Sequence, residues 1–206
     1  MSLELGRRAV HASGVGIPLL YLLGIATWTQ VRWFAVLVAV IALMLEFLRL
    51  VVGFDHPIYD RLTRSYEQNS IAGYGLYAIS MAFVAIVFVP AVAVPGMVLL
   101  AIADPISGML GSNEPHEHKA PQVWAAMFAV CFSLTAAIVV PMVGGVVAVV
   151  AAAAGAVGAT VADCTKPIVR GIAIDDNLTI PPATAIGISL VLWLGGVGHG
   201  IDPVLV

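Results

Sequence analysis

Three acidic residues, Glu46, Asp104 and Asp163, stand inside or at the ends of long apolar runs. A charge at the centre of a membrane span costs on the order of 2.5–3.5 kcal/mol on insertion scales, so such residues usually face the protein interior and mark a site. Glu46 precedes Arg49 by three residues on one helix face, and both a plain ion pair and a functional role fit that spacing. Asp104 is followed by Pro105, which predicts an N-cap and N1 pair where the helix breaks and restarts. The restarted half would direct free N–H groups toward a bound anion or metal–phosphate. Gly108 and Gly111 would let a ligand or another backbone come close. The competing reading is a proline kink capped by Asp104.

A second polar group, Asp175, Asp176 and Asn177, stands just ahead of Pro181 and Pro182. Two adjacent carboxylates and an amide are hard oxygen donors suited to Mg²⁺, which takes one or two carboxylates together with substrate phosphates. An Asx-type turn opening a helix at Pro181 fits the same residues. Lys119 offers a point charge for a phosphate. Its neighbours His116 and His118 lack the further ligands of a zinc site. No G-x-x-x-x-G-K-S/T loop occurs, so any nucleotide site here is of another design.

Helices in lipid must position these groups. Of 206 residues, 61% are hydrophobic and 10% charged, and the mean hydropathy is +1.03. Soluble domains carry roughly a quarter charged residues, so lipid must be the solvent for most of these side chains. The net charge of −3 and the lack of a basic run argue against nucleic acid as a partner. Cys131 and Cys164 read as small core residues rather than a disulfide framework. The apolar stretch after Arg7 and Arg8 runs on for a full span, unlike a signal peptide.

Runs long enough to cross a bilayer cover about 10–28, 33–52, 70–90, 93–111, 123–143, 144–162 and 182–199. The expected fold is therefore an all-α integral membrane protein. It is one transmembrane domain over residues 1–206, a bundle of about seven helices with no separate soluble domain. Tight uncharged hairpins are expected over Val89–Gly96 and at Gly144-Gly145. A cytoplasmic N-terminus puts Arg7, Arg8, Arg49, Arg61, Arg64, Lys119, Lys166 and Arg170 inside and leaves only Arg32 outside. The protein then belongs in the cell membrane as a multi-pass chain with its polar site facing the cytoplasm. The sixth run is almost all small residues, including Gly155 and Gly158, which favours close packing within the bundle over a homodimer seam.

These segments, in this order, resemble the polyprenol kinase family: dolichol kinase, phytol kinase and CTP-dependent diacylglycerol kinase, with phosphatidate cytidylyltransferases as more distant relatives. Arg7-Arg8-Ala9-Val10-His11 with Gly14 resembles the family's opening R-K-x-x-H segment. Glu46 and Arg49 are similar to its E-x-x-R, and Asp104, Ser107 and Gly111 to its D-x-x-A-x-x-x-G. Asp175-Asp176-Asn177-Leu178-Thr179-Ile180-Pro181 matches its D-D-N-L-x-I-P signature in full. The family's K-x-x-E-G-S-x-A-x-F stretch is only partly kept. Lys119 and Phe128 remain, but Gln122, Val123 and Trp124 replace Glu-Gly-Ser, and Asp163 stands where a Glu is usual.

The resemblance implies a lipid kinase with CTP as co-substrate and Mg²⁺ as cofactor, acting on the hydroxyl of a membrane isoprenoid alcohol. It makes Asp104, Lys119 and Asp176 the catalytic candidates, Asp104 either orienting the hydroxyl or joining the metal. Arg8, His11, Arg49, Ser107, Gly111, Lys119 and Arg170 become the candidates for holding nucleotide and phosphate. Asp175, Asp176 and Asn177 become the candidates for metal. Three other expectations fit the same residues. One is a transferase forming a CDP-lipid. Another is a multipass carrier using Glu46, Asp104 and Asp163 as an ion path, and the last is a family member that binds without turnover.

Overall fold

A computed structural model describes residues 2–64, 67–111, 119–165, 168, 169, 172, 173 and 175–201. The chain forms α1 (Ser2–Ser13), α2 (Gly16–Leu22), α3 (Trp28–Phe47), α4 (Pro57–Leu62), α5 (Gly73–Val87), α6 (Pro90–Val98), α7 (Asp104–Leu110), α8 (Pro121–Val143), α9 (Gly145–Thr165) and α10 (Asp176–Leu194). A π-helical turn, Leu48–Val52, extends α3, and another, Leu99–Ala103, joins α6 to α7. Between α9 and α10 a two-residue antiparallel ladder pairs β1 (Ile168–Val169) with β2 (Ile172–Ala173). The fold is thus all-helical in its architecture.

Five helices are long and apolar enough to cross a membrane: Trp28–Val52, Pro90–Leu110, Pro121–Val143, Gly145–Thr165 and Asp176–Leu194. The apolar α5 is shorter, at 15 residues. Outward-facing Trp33, Leu37, Met44, Val146, Ile186 and Trp193 are each at least half exposed, an apolar outer surface compatible with lipid. The π turn after α6 forms the centre, where Leu99 and Leu100 are wholly buried with Met81, Met127, Ile180 and Ile188 around them.

Several boundaries differ from those the sequence predicts. The first run is not one helix but two, parted at Gly14 and Val15. Gly14 lets the Tyr77 hydroxyl of α5 enter the space a Cβ would fill. The run ends in a turn at Gly24, φ +67°, and Thr27 opens α3 with a reciprocal capping box to Gln30. The hairpin expected over Val89–Gly96 shrinks to Phe88 and Val89, because Pro90 serves as the first helical residue and Pro95 and Gly96 lie inside α6.

Asp104 does not cap a restarted helix. Its backbone is helical and its N–H donates to Leu99 O, five residues back, so Pro90–Leu110 runs as one span through a π turn. In that register the next donor would be Pro105, which has none, and Leu100 O is left over. His11 Nε2 donates to it at 2.8 Å.

Helix α10 likewise starts at Asp176, with Asp175 as N-cap, rather than at Pro181. Pro182 removes the donor that Leu178 O would otherwise meet, and Ser80 Oγ of α5 supplies one at 3.1 Å. Gly96 lies flat against Pro181, where a Cβ would stand 2.9 Å from the Pro181 carbonyl oxygen. On α9 and α10, a Cβ on Gly158 would overlap the Ala183 carbonyl oxygen, and one on Gly187 would lie 2.6 Å from Ala154 O. The small-residue stripe of α9 is therefore spent on α10 within the bundle.

At one end of the bundle, Phe88 bridges Ile201 and Arg32 Nε donates to Ala85 O. At the other end lie the polar groups.

Candidate functional site

Asp104 opens α7, Asp163 lies in the last turn of α9, and Asp176 is the first residue of α10. Their carboxylates converge so that one oxygen from each lies within 4.8 Å of the others. Three like charges at this spacing repel, and buried charges need partners. Lys119, just before α8, supplies one. Its Nζ lies 2.8 Å from both Asp163 oxygens and 2.9 Å from Ser107 Oγ, which itself donates to Asp163 Oδ2 at 2.6 Å. Arg7, Arg8 and Arg64 line the same cleft as Asp104 and Asp176. The three carboxylates are hard oxygen donors of the kind a divalent cation takes.

Lys119 and Ser107 were expected to meet phosphate, but both are spent on Asp163. The lysine side chain is only 2% exposed, and its three donors are occupied. Cys164 Sγ also points to Asp163, at 3.4 Å. Gly111 ends α7 in an extended conformation, packed on Val123.

Opposite the acidic group stands the first helix. Arg8 donates to Gly108 O at 2.9 Å, and Arg7 to Thr63 O at 2.7 Å. His11 Nε2, already bonded to Leu100 O, sits 3.3 Å from Asp104 Oδ2. Because the carbonyl can only accept, that nitrogen carries the hydrogen. Tyr77 packs edge-on against the His11 ring and its hydroxyl donates to His11 O at 3.2 Å. The imidazole is thus fixed in place from both sides.

Two hollows meet at this point. The smaller, about 50 Å³, is lined by Arg8, Asp104 and Asp176. The larger, about 250 Å³, is lined largely by apolar and aromatic groups, among them Ile17, Val38, Leu62 and Tyr77. Arg7, His11, Arg64 and Asn177 line both. A charged cleft and an apolar cavity therefore share a wall.

Asp175 and Asn177 were expected to hold metal with Asp176. Of the two carboxylates, Asp176 joins the acidic group and Asp175 does not. Asp175 Oδ1 instead accepts from the Asn177 N–H at 2.9 Å and from Asn177 Nδ2 at 2.5 Å, an N-cap of α10. Burial, and then the neighbouring Asp176, push the Asp175 carboxyl up to about 6. Asn177 Oδ1 is buried with no hydrogen-bond partner among the described residues.

Arg49 lies away from the site. It donates to both Glu46 oxygens, at 2.6 and 3.3 Å, and to the carbonyls of Glu67, Gln68 and Ser70. Its five donors are thereby used in pinning the loop ahead of α5, and Glu46 also accepts from Ala72 N. The plain ion pair, one of the two readings of Glu46, describes this arrangement. Arg170 lies outside the described residues.

Arg7, Arg64 and Tyr77 belong to the hollows but were not singled out from sequence as site residues. Arg64 had counted only toward the charge asymmetry, since nothing local marks a residue that meets α1 and α10 across the bundle. No protein-family model, curated protein or solved structure matches this chain.

Proposed function

We propose that this chain is a multi-pass membrane phosphotransferase that moves the terminal phosphoryl group of a nucleotide, CTP by family resemblance, onto the hydroxyl of a membrane isoprenoid alcohol. The observation that carries the reading is the shared wall between the charged cleft and the apolar cavity. A soluble polyanion and an apolar chain would meet there, with Arg7, His11, Arg64 and Asn177 touching both.

The bundle crosses the bilayer seven times when α1 and α2 are counted as one broken pass and α5 as a short one. The N-terminus and the site then face the cytoplasm, where the nucleotide is dissolved. The acidic group fits Mg²⁺ by its donor chemistry, with Asp104 and Asp176 as its ligands beside the Lys119-neutralised Asp163. When bound, the ion supplies charge neutralisation to the donor phosphates.

Phosphoryl transfer asks the protein mainly for positioning and for stabilisation of charge. Arg7, Arg8 and Arg64 place positive charge along the cleft. His11 keeps its Nε2 hydrogen on Leu100 O and stands beside Asp104, which holds that carboxylate facing the cleft. Asp104 also stands next to the apolar cavity through His11, so it is the group placed to take the proton that the attacking hydroxyl loses. Lys119 acts one layer back by fixing Asp163.

Product identity tests the reading. The purified protein with CTP, Mg²⁺ and geranylgeraniol should yield lipid monophosphate and CDP in equal amounts. Pyrophosphate and a CDP-lipid, formed from a lipid phosphate, would make the chain a cytidylyltransferase instead. Solute flux in liposomes with no nucleotide requirement would make it a carrier.

A further inference from the structure

The buried amide oxygen of Asn177 needs a donor. Asn177 is 7% exposed, and its Nδ2 is committed to Asp175 Oδ1, which fixes the other end of the amide as the oxygen. That oxygen has no partner among the described residues. Leaving a buried acceptor unmet costs roughly 1–3 kcal/mol, so a built site supplies the missing donor from a ligand. Asn177 lines both the charged cleft and the 250 Å³ apolar cavity, so the ligand group that meets it stands where the two join.

Two kinds of ligand atom satisfy an amide oxygen: a metal ion, or an O–H or N–H hydrogen. A metal at the acidic group already has a carboxylate each from Asp104, Asp163 and Asp176. The cavity side joins Val10, Ile17, Val38 and Tyr77, which suit a hydrocarbon chain, with polar Arg7, Ser13 and Arg64. Glu67, also on that wall, spends one oxygen on Arg64 N and the other on Gly73 N. A Cβ on Gly73 would stand 3.1 Å from Asn177 Nδ2, so the glycine leaves room for the amide.

We propose that Asn177 Oδ1 accepts the hydrogen of the lipid alcohol's hydroxyl and so selects a hydroxyl-bearing chain. This rests on the reading of the cavity as the alcohol's site. At about 250 Å³ the cavity is smaller than the roughly 300–1,000 Å³ pockets that enclose whole drug-sized ligands. It therefore grips the hydroxyl end and leaves the rest of the chain to the bilayer. Selectivity lies in the hydroxyl and its first units, and chain length beyond them goes unread. Asn177 is a positioning residue: it holds the bound hydroxyl with its oxygen toward the cleft, and the single hydrogen turns from Asn177 to Asp104 as that oxygen attacks.

Binding to the intact protein in lipid nanodiscs, without nucleotide or metal, tests this. Geranylgeraniol should bind about 10–100-fold more tightly than its methyl ether, which has the same chain but no hydrogen to donate. Asn177→Leu should bring the two ligands to equal affinity while leaving stabilisation by Mg²⁺ alone unchanged. Farnesol and geranylgeraniol should bind wild type alike. Equal binding of alcohol and ether by wild type overturns the inference, whether or not the variant folds. Loss of Mg²⁺ stabilisation in Asn177→Leu overturns it too, by making the amide a metal ligand. Failure of every alcohol to bind would instead reject the cavity as the lipid site and, with it, the reading on which this inference rests.

Discussion

Lys119 Nζ lies 2.8 Å from both carboxylate oxygens of Asp163, and the two side chains are 2% and 0% exposed. A lysine expected to reach for phosphate stands as the counter-ion of Asp163, one of the three carboxylates that share one end of the bundle. Breaking a buried pair by removing one partner costs about 3–5 kcal/mol, because the remaining charge is left uncompensated. Lys119→Met should therefore destabilise strongly. Lys119→Met combined with Asp163→Leu should recover part of the loss. Thermal unfolding in detergent reads this out, and strictly additive losses would contradict the pairing.

Asp175 and Asp176 are neighbours in different places, one the cap of α10 and the other a member of the acidic group. The Asp175 carboxyl is raised to about 6, chiefly by burial. A raised carboxyl pKa means the folded chain holds its proton more tightly than the unfolded chain does. Its contribution is full below the ordinary value near 3.8 and is lost as pH rises through 6. Asp175→Asn keeps a good N-cap without the charge. At pH 7.5 it should be as stable as wild type or more so, by up to on the order of 2 kcal/mol, and its stability should be flatter between pH 4 and 6.5. A large loss of stability at pH 7.5 would contradict the cap reading.

His11 makes its own prediction through Leu100. His11→Phe would leave the Leu100 carbonyl without its donor at the π turn, a loss of roughly 1–3 kcal/mol. It would also free Asp104 of its neighbour, so turnover should fall more than stability does. His11→Gln, which can still donate an N–H, should recover stability in part. Unfolding curves beside steady-state rates check both, and an unchanged melting temperature in His11→Phe would remove the carbonyl argument.

On the seam between α9 and α10, Gly158→Ala sets a methyl against the Ala183 carbonyl and Gly187→Ala sets one against Ala154 O. Backbone cannot yield as a side chain can, and overpacking of this kind typically costs 1–3 kcal/mol. Gly6→Ala, on α1 with nothing within 4 Å of the added carbon, is the matched control and should be neutral. Melting temperatures of the three variants decide the point.

The spans were legible because a chain this apolar has few other ways to satisfy its backbone in lipid. Their interruptions were not. The break at Gly14 lies where Tyr77, which follows it by 63 positions in the chain, packs against the glycine, and the sequence near Gly14 reads as an unbroken run. Asp104-Pro105 has the local form of a cap, yet His11 takes up the carbonyl of Leu100, 89 residues from it, that Pro105 strands, and lets the helix continue. Lys119 and Asp163 are 44 residues apart, so neither could be seen to neutralise the other. Asp176 could be singled out from its motif, but its split from Asp175 depends on which carboxylate caps α10.

The central claim is transfer of a phosphoryl group at the carboxylates of Asp104 and Asp176. Its most direct test is CTP labelled in the γ-phosphate, given with Mg²⁺ and geranylgeraniol to wild type and to folded Asp104→Asn and Asp176→Asn. The account predicts label in the lipid for wild type, and a loss of about 10²–10³-fold or more in each variant. No labelled lipid from wild type with CTP or any other nucleotide, or full activity in both variants, would contradict it.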